Sequence, residues 1–237
     1  MPDLRPSDSA PVEELLAEAT RRLVRSTDSL ADADYGAPSL LPGWTRGHVL
    51  AHLALNAEGL AAALTGIVEG QQVPMYASQE ARDADIDELA AAEPAELRGR
   101  LLAGSTTLAD ALAAVPDDRG DAAVERVPGG PTFAAADVPS MRLREVEIHH
   151  ADLGTGYDRS SWDPAFAAQV LDRMGARELA ATPFSVCARD LDRTWAYGDG
   201  GPTVTGDSRD LAWWLTGRGT GEGLTSDSGT LPQIGAW

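Results

Sequence analysis

After Thr45 the apolar residues Val49, Leu53, Ala57, Leu60, Leu64 and Ile67 recur every three or four positions. A strand cannot use that spacing; a helix gathers it into one apolar stripe that must be buried against a neighbour. Thr45 is placed to cap this helix, just after the turn-like Leu41-Pro42-Gly43-Trp44. Three further segments repeat the pattern. Pro11 opens one with Val12, Leu15, Leu16, Ala19 and Leu23, with Leu30 as an extension. Pro94 opens another through Leu97, Leu101, Leu108 and Leu112, with Gly104 as a weak point rather than a break. The last carries Val138, Met141, Ile148 and Ala151; it follows the loop Val127-Pro128-Gly129-Gly130-Pro131 and is ended by Gly154 and Gly156. Four such helices form a bundle, whose sites are built from side chains projecting inward.

From Tyr157 the texture changes. Trp162-Asp163-Pro164 leads into a helical run with Phe166, Val170, Leu171 and Met174. Short strand-like pieces follow at Phe184-Ser185-Val186, Thr194-Trp195-Ala196-Tyr197 and Thr203-Val204-Thr205, separated by glycine and proline. Asp207 or Ser208 caps a final helix through Leu211, Trp213, Trp214 and Leu215, with Gly217 at the stopping position. The expected fold class is α+β: a four-helix bundle over residues 1–155 and a small α+β domain over 156–237.

The 37 acidic against 19 basic residues give a net charge of −18, which argues against nucleic acid and anionic membranes as partners. Met1-Pro2-Asp3-Leu4-Arg5 lacks a basic region followed by an apolar core, and no stretch approaches about twenty uninterrupted apolar residues, so the expectation is a soluble cytoplasmic protein. The single cysteine, Cys187, excludes an internal disulfide and a multi-thiolate zinc site, and is read as a buried structural thiol.

All four histidines fall in two groups, His48 with His52 and His149 with His150, the second just after Glu145-Val146-Glu147. On helices, residues four apart share a face, so His48 can look the same way as His52, and Glu145 the same way as His149. Glu145 lies on the apolar stripe of its helix, where a carboxylate is costly to ionise without a cation beside it. Two imidazoles and a carboxylate are a common donor set for a catalytic divalent metal with an open position. The alternative is a core ion pair between Glu145 and an arginine, with His149 as a satisfied structural histidine. Arg142 and Arg144 flank the acidic helix, and their spacing directs them to solvent.

Three blocks resemble the mycothiol-dependent maleylpyruvate isomerases, whose amino-terminal half is a DinB-like metal-binding bundle. They are Leu41-Pro42-Gly43-Trp44-Thr45 with His48-Val49-Leu50-Ala51-His52-Leu53; Met141 through Leu153; and Trp214-Leu215-Thr216-Gly217-Arg218. The resemblance covers nearly the whole chain. It implies zinc held by His52, Glu145 and His149, leaving His48 and His150 to structural roles. Iron, nickel and manganese accept the same donors. It also implies that a metal-bound mycothiol thiolate adds to the conjugated double bond of maleylpyruvate, permits rotation and leaves as fumarylpyruvate forms, in gentisate-type aromatic catabolism.

A dicarboxylate substrate needs local cations. Arg218 matches an arginine associated with substrate binding and catalysis in the family, where a guanidinium can grip a carboxylate and stabilise an enolate. Without the resemblance, Arg218 reads as a surface arginine at a helix carboxyl end. Arg82, in Met75-Tyr76-Ala77-Ser78-Gln79-Glu80-Ala81-Arg82, is a further substrate contact on the same ground, against an ordinary salt bridge. Other readings share these motifs: a mycothiol S-transferase acting on another electrophile, a zinc hydrolase activating water, and a non-enzymatic metal-binding bundle. The sequence leaves the oligomeric state and the mycothiol contacts open.

Overall fold

A computed structural model of the protein describes residues 11–174 and 182–235. The reading of Met1–Arg5 lies outside them. The chain divides into two compact units, one spanning Pro11–Tyr157 and the other beginning at Asp158.

The first unit contains α1 (Val12–Asp28), α2 (Arg46–Glu69), α3 (Gln79–Ala90), α4 (Pro94–Ala114) and α5 (Val138–Asp152). Between α4 and α5 a short antiparallel hairpin pairs β1 (Ala123–Glu125) with β2 (Thr132–Ala134). The four long helices α1, α2, α4 and α5 form the bundle, with α2 against α4 and α1 against α5, while α3 packs on α2. Every residue of the α2 stripe is buried, and so are Leu50, Ala51, Ala54 and Ala61 around the rest of its circumference. Helices, hairpin and the α3 segment cover α2 on several sides, which explains an apolar surface wider than one stripe. For the same reason α2 is long and apolar enough to cross a membrane by composition, although most of it is buried inside the unit.

Two glycines admit these close approaches. A Cβ on Gly104 would stand 3.1 Å from Glu58 Cγ and 3.2 Å from Ala54 O, so the point that reads as a weakness in α4 is where it crosses α2. A Cβ on Gly59 would meet Met75 O at 2.8 Å. There the chain before α3 lies directly on α2, held by Met75 N donating to Glu125 O (2.9 Å) and Tyr76 N donating to Arg126 O (3.0 Å).

Several expectations are corrected. α1 stops at Asp28, so Leu30 does not extend it. α3 carries no stripe in the sequence because only Ile86 and Leu89 of it are buried. On α5, Val138, Ile148 and Ala151 are buried as expected, but so are Arg142, Glu147 and His150, while Met141 and Arg144 are half-buried. Arg142, assigned to solvent, is 1% exposed and donates from Nη1 to Asn56 Oδ1 at 2.7 Å. The physical reason is that α5 packs against both α2, to which Arg142 turns, and α1, which covers the flank bearing Glu147 and His150. On that flank Arg22 pairs with Glu147 at 2.7 Å, Tyr157 donates to Glu147, and His150 stacks on Tyr157 at 3.7 Å with Nε2 2.8 Å from Ser26 Oγ.

The second unit holds α6 (Pro164–Met174), β3 (Phe184–Ala188), β4 (Arg193–Tyr197), β5 (Thr203–Gly206), α7 (Ser208–Leu215) and β6 (Thr225–Ser226). The sheet order is β4-β3-β5-β6, with β3 antiparallel to β4, parallel to β5, and β5 antiparallel to β6. Trp162, Phe166, Phe184, Val186, Val204 and Leu211 supply its core. Asp207 caps α7 by accepting from Arg209 N at 3.1 Å, and Gly217, at φ 74°, lies just beyond the helix. Alternation along β3 turns Phe184, Val186 and Ala188 inward, so Cys187 is half-buried rather than a core thiol.

Burial, with the charge of Arg22 adding to it, pushes the His150 imidazole down from 6.5 to about 3. Above pH 6.5 this group contributes nothing to pH dependence. Below it the unfolded chain takes a proton that the folded one refuses, and stability falls by about 1.4 kcal/mol per pH unit until about pH 3. In chelator-treated protein, the urea midpoint of His150→Phe should therefore fall less steeply between pH 6 and pH 4 than that of the parent.

Candidate metal centre

His52 projects from the second turn of α2, and Glu145 and His149 from successive turns of α5. One donor atom from each lies within 4.8 Å of the others. His52 Nε2 is 2.7 Å from Glu145 Oε2, His149 Nε2 is 3.5 Å from the same oxygen, and the two rings meet edge to face at 4.8 Å. Glu145 remains 27% exposed, against 8% for His52 and 17% for His149 at the side chain, so the cluster is accessible through the carboxylate.

The electrostatics follow from burial and from the carboxylates. Desolvation opposes ionisation of Glu145, but hydrogen bonds and charge from His149 and His52 together outweigh it and hold the carboxyl well below its ordinary range. His52 is shifted down, chiefly by desolvation. His149 is also desolvated, yet Asp152 and Glu145 together raise it. An anionic oxygen between two imidazole nitrogens is a donor set that a divalent ion would satisfy. The surroundings of His149 fit that use: its Nδ1 is 2.9 Å from Asp152 Oδ2, a carboxylate with no exposure. Such a partner fixes the ring and leaves the opposite nitrogen to face the metal.

Around this cluster lie residues that sequence reasoning treated differently. His48 turns back to its own helix start, with Nδ1 3.3 Å from Thr45 N and 2.7 Å from Thr45 Oγ1, and with Nε2 3.6 Å from Asp87 of α3. It caps α2. Trp44 packs between the two histidines of α2, its ring 6.2 Å from His48 and 5.9 Å from His52. Arg82 is brought to the cluster: its Nη2 is 3.0 Å from His52 Nδ1, and its guanidinium lies over the Tyr76 ring at 5.7 Å while bonding to Asp83 at 2.7 Å. Arg218 belongs to the second unit, where it donates to Thr216 O at 3.0 Å and lies over Trp213 at 5.7 Å.

Asn56 was not singled out from the sequence. It sits one helical turn from His52, as Arg142 sits one turn from Glu145, and their hydrogen bond forms a polar layer adjoining the His52–Glu145–His149 cluster. The signal was present in α2, where an asparagine interrupts an otherwise apolar stretch.

The model of the mycothiol maleylpyruvate isomerase N-terminal domain matches residues 16–154. The chain belongs to this family. A crystal structure of a histidine-to-alanine mutant of the mycothiol-dependent maleylpyruvate isomerase is similar at 27% identity and a TM-score of 0.86. A second crystal structure of the mycothiol-dependent maleylpyruvate isomerase is similar at 28% identity and a TM-score of 0.84. Each comparison covers 96% of this chain and 98% of the other. A search among curated proteins finds no match. The family framework therefore extends through both units, and the expected α+β class holds.

Replacing Asp152 by Asn keeps the shape but removes the charge that orients His149. Zinc affinity, measured by competition with a chromophoric chelator, should fall by about 10–100-fold without loss of the helical circular dichroism.

Proposed function

We propose that this protein is a mycothiol-dependent maleylpyruvate isomerase that converts maleylpyruvate to fumarylpyruvate, with a divalent metal held by His52, Glu145 and His149. The observation that carries the reading is the convergence of these three side chains within 4.8 Å on a family framework matched over 96% of the chain. Zinc is the metal proposed, and when bound it supplies acidification of a coordinated thiol, so that a thiolate is available at neutral pH. The action is placed in the cytoplasm, where thiol cofactors are kept reduced.

The chain's own residues divide the remaining work. Glu145 brings one negative charge and two imidazoles bring none, so a divalent ion keeps a net positive charge toward a further anionic ligand. Asp152 holds the His149 ring at Nδ1. Arg82 has a more particular role. A guanidinium only donates, so its contact with His52 Nδ1 needs a bare lone pair there and puts the ring proton on Nε2, facing Glu145. A divalent ion held by His52 through Nε2 would require the ring proton on Nδ1, and two donors cannot face each other there. With such an ion in place the Arg82 guanidinium would be free of His52 and could bind a substrate carboxylate. Arg218 is proposed as the other carboxylate-binding cation and as stabiliser of the enolate, a role resting on the resemblance of Trp214-Leu215-Thr216-Gly217-Arg218.

The test is conversion of maleylpyruvate by zinc-loaded protein with and without mycothiol. Turnover should require the thiol and be lost in His52→Ala, which also loses zinc. Arg82→Ala and Arg218→Ala should retain zinc and lose about 10–100-fold in kcat/KM, the cost of a charge-assisted hydrogen bond. Zinc binding with no thiol-dependent turnover would refute the isomerase and direct the search to conjugation of other electrophiles.

A further inference from the structure

The four-helix bundle does not close evenly. Between α1 and α4 lies a cavity of 740 Å³, within the range of about 300–1,000 Å³ usual for small-molecule sites. Its walls are mainly apolar, with Leu16 and Val24 from α1, Leu108 and Leu112 from α4, and Pro139 from α5. Leu102, at 54% exposure, belongs to the same lining and marks its solvent side.

Glu13, Arg21, Arg25 and Asp110 reach this lining from exposed positions, whereas Arg142 is its one buried charged residue. Arg142 contributes to the cavity although it is 1% exposed, and its Nη2 has no hydrogen-bond partner. Its Nη1 is satisfied only by the neutral amide of Asn56, and it forms no ion pair within 4.0 Å among the described residues. The hydroxyl of Ser105, also in the lining, is buried without a partner. Glu145, one turn away, supports the Arg142 charge without touching it, and a buried guanidinium with no carboxylate in contact is costly; an unmet donor beside an apolar cavity is the arrangement that an anionic head group would complete.

We propose that the α1–α4 cavity is a binding site for an apolar small molecule bearing a carboxylate, with the carboxylate on Arg142 Nη2 and the Ser105 hydroxyl and the hydrocarbon along Leu16, Val24 and Leu112. Its residues are separate from His52, Glu145 and His149, although Arg142 shares α5 with two of them. A carboxylate there completes the guanidinium with an opposite charge, while a neutral alcohol fills the same apolar volume and offers Nη2 an uncharged acceptor only. The site thus discriminates by head group.

The probes are octanoate and 1-octanol, titrated calorimetrically into zinc-loaded protein below their aggregation limits. Octanoate should saturate at one per chain and bind about tenfold or more tighter than 1-octanol. Arg142→Met should erase that preference. Ala109→Trp, at an exposed position of the lining, should abolish binding of both without disturbing the fold. Octanoate binding should persist in His52→Ala. Equal affinity for the two probes, no saturable binding, binding unchanged in Ala109→Trp, or binding lost in His52→Ala would each overturn the proposal; the last would assign the carboxylate to the metal.

Discussion

A single carboxylate sets the terms for the first unit. Glu145 is placed where burial opposes its charge, and it stays ionised because imidazoles from its own helix and from α2 face it. This interaction needs α2 and α5 in register to within about one hydrogen-bond length. The rest of the unit can be read as what secures that register. Gly104 lets α4 seat against α2, Gly59 lets the chain before α3 lie on α2, and the Arg22–Glu147–Tyr157 group holds α5 to α1. The two glutamates of α5 thus divide the labour: the buried Glu147 anchors the helix, and the half-buried Glu145 faces the imidazoles.

Much of this was legible in the chain itself. The spacing of Glu145 with His149 fixed a shared face, and the apolar stripe made that face interior, so helical geometry and the cost of a buried charge were enough to require a partner for the carboxylate. Spacing alone did not separate His52 from His48. The structure separates them by local chemistry, because His48 lies three residues after Thr45, where its ring nitrogen is consumed by the start of its own helix. A side chain at that position is drawn into capping in the way a glutamate often is.

What was not legible has a common cause. Helical periodicity reports one burial direction well and a second one poorly. Arg142 falls off the apolar stripe and so reads as solvent-facing, yet α5 is flanked by α1 and α2 and encloses it. α3 buries only Ile86 and Leu89 and leaves the rest polar, so its sequence carries no stripe even though it delivers Arg82 to His52. β6 is two residues long, below the length at which alternation can be seen. Each of these depends on which neighbour covers a segment, which is long-range information.

The sheet of the second unit has a consequence of its own. Its margins are β4 and β6. β6 offers only two residues of backbone, and β4 carries Arg193, paired with Asp172 and lying over Trp195 at 4.4 Å. A truncated margin and a charged one are poor templates for another strand, because a newcomer would find few free amides on one side and a bulky ion pair on the other. This small sheet is thereby guarded against growing from molecule to molecule, a protection independent of any catalytic role that lets the protein accumulate without its strands recruiting one another.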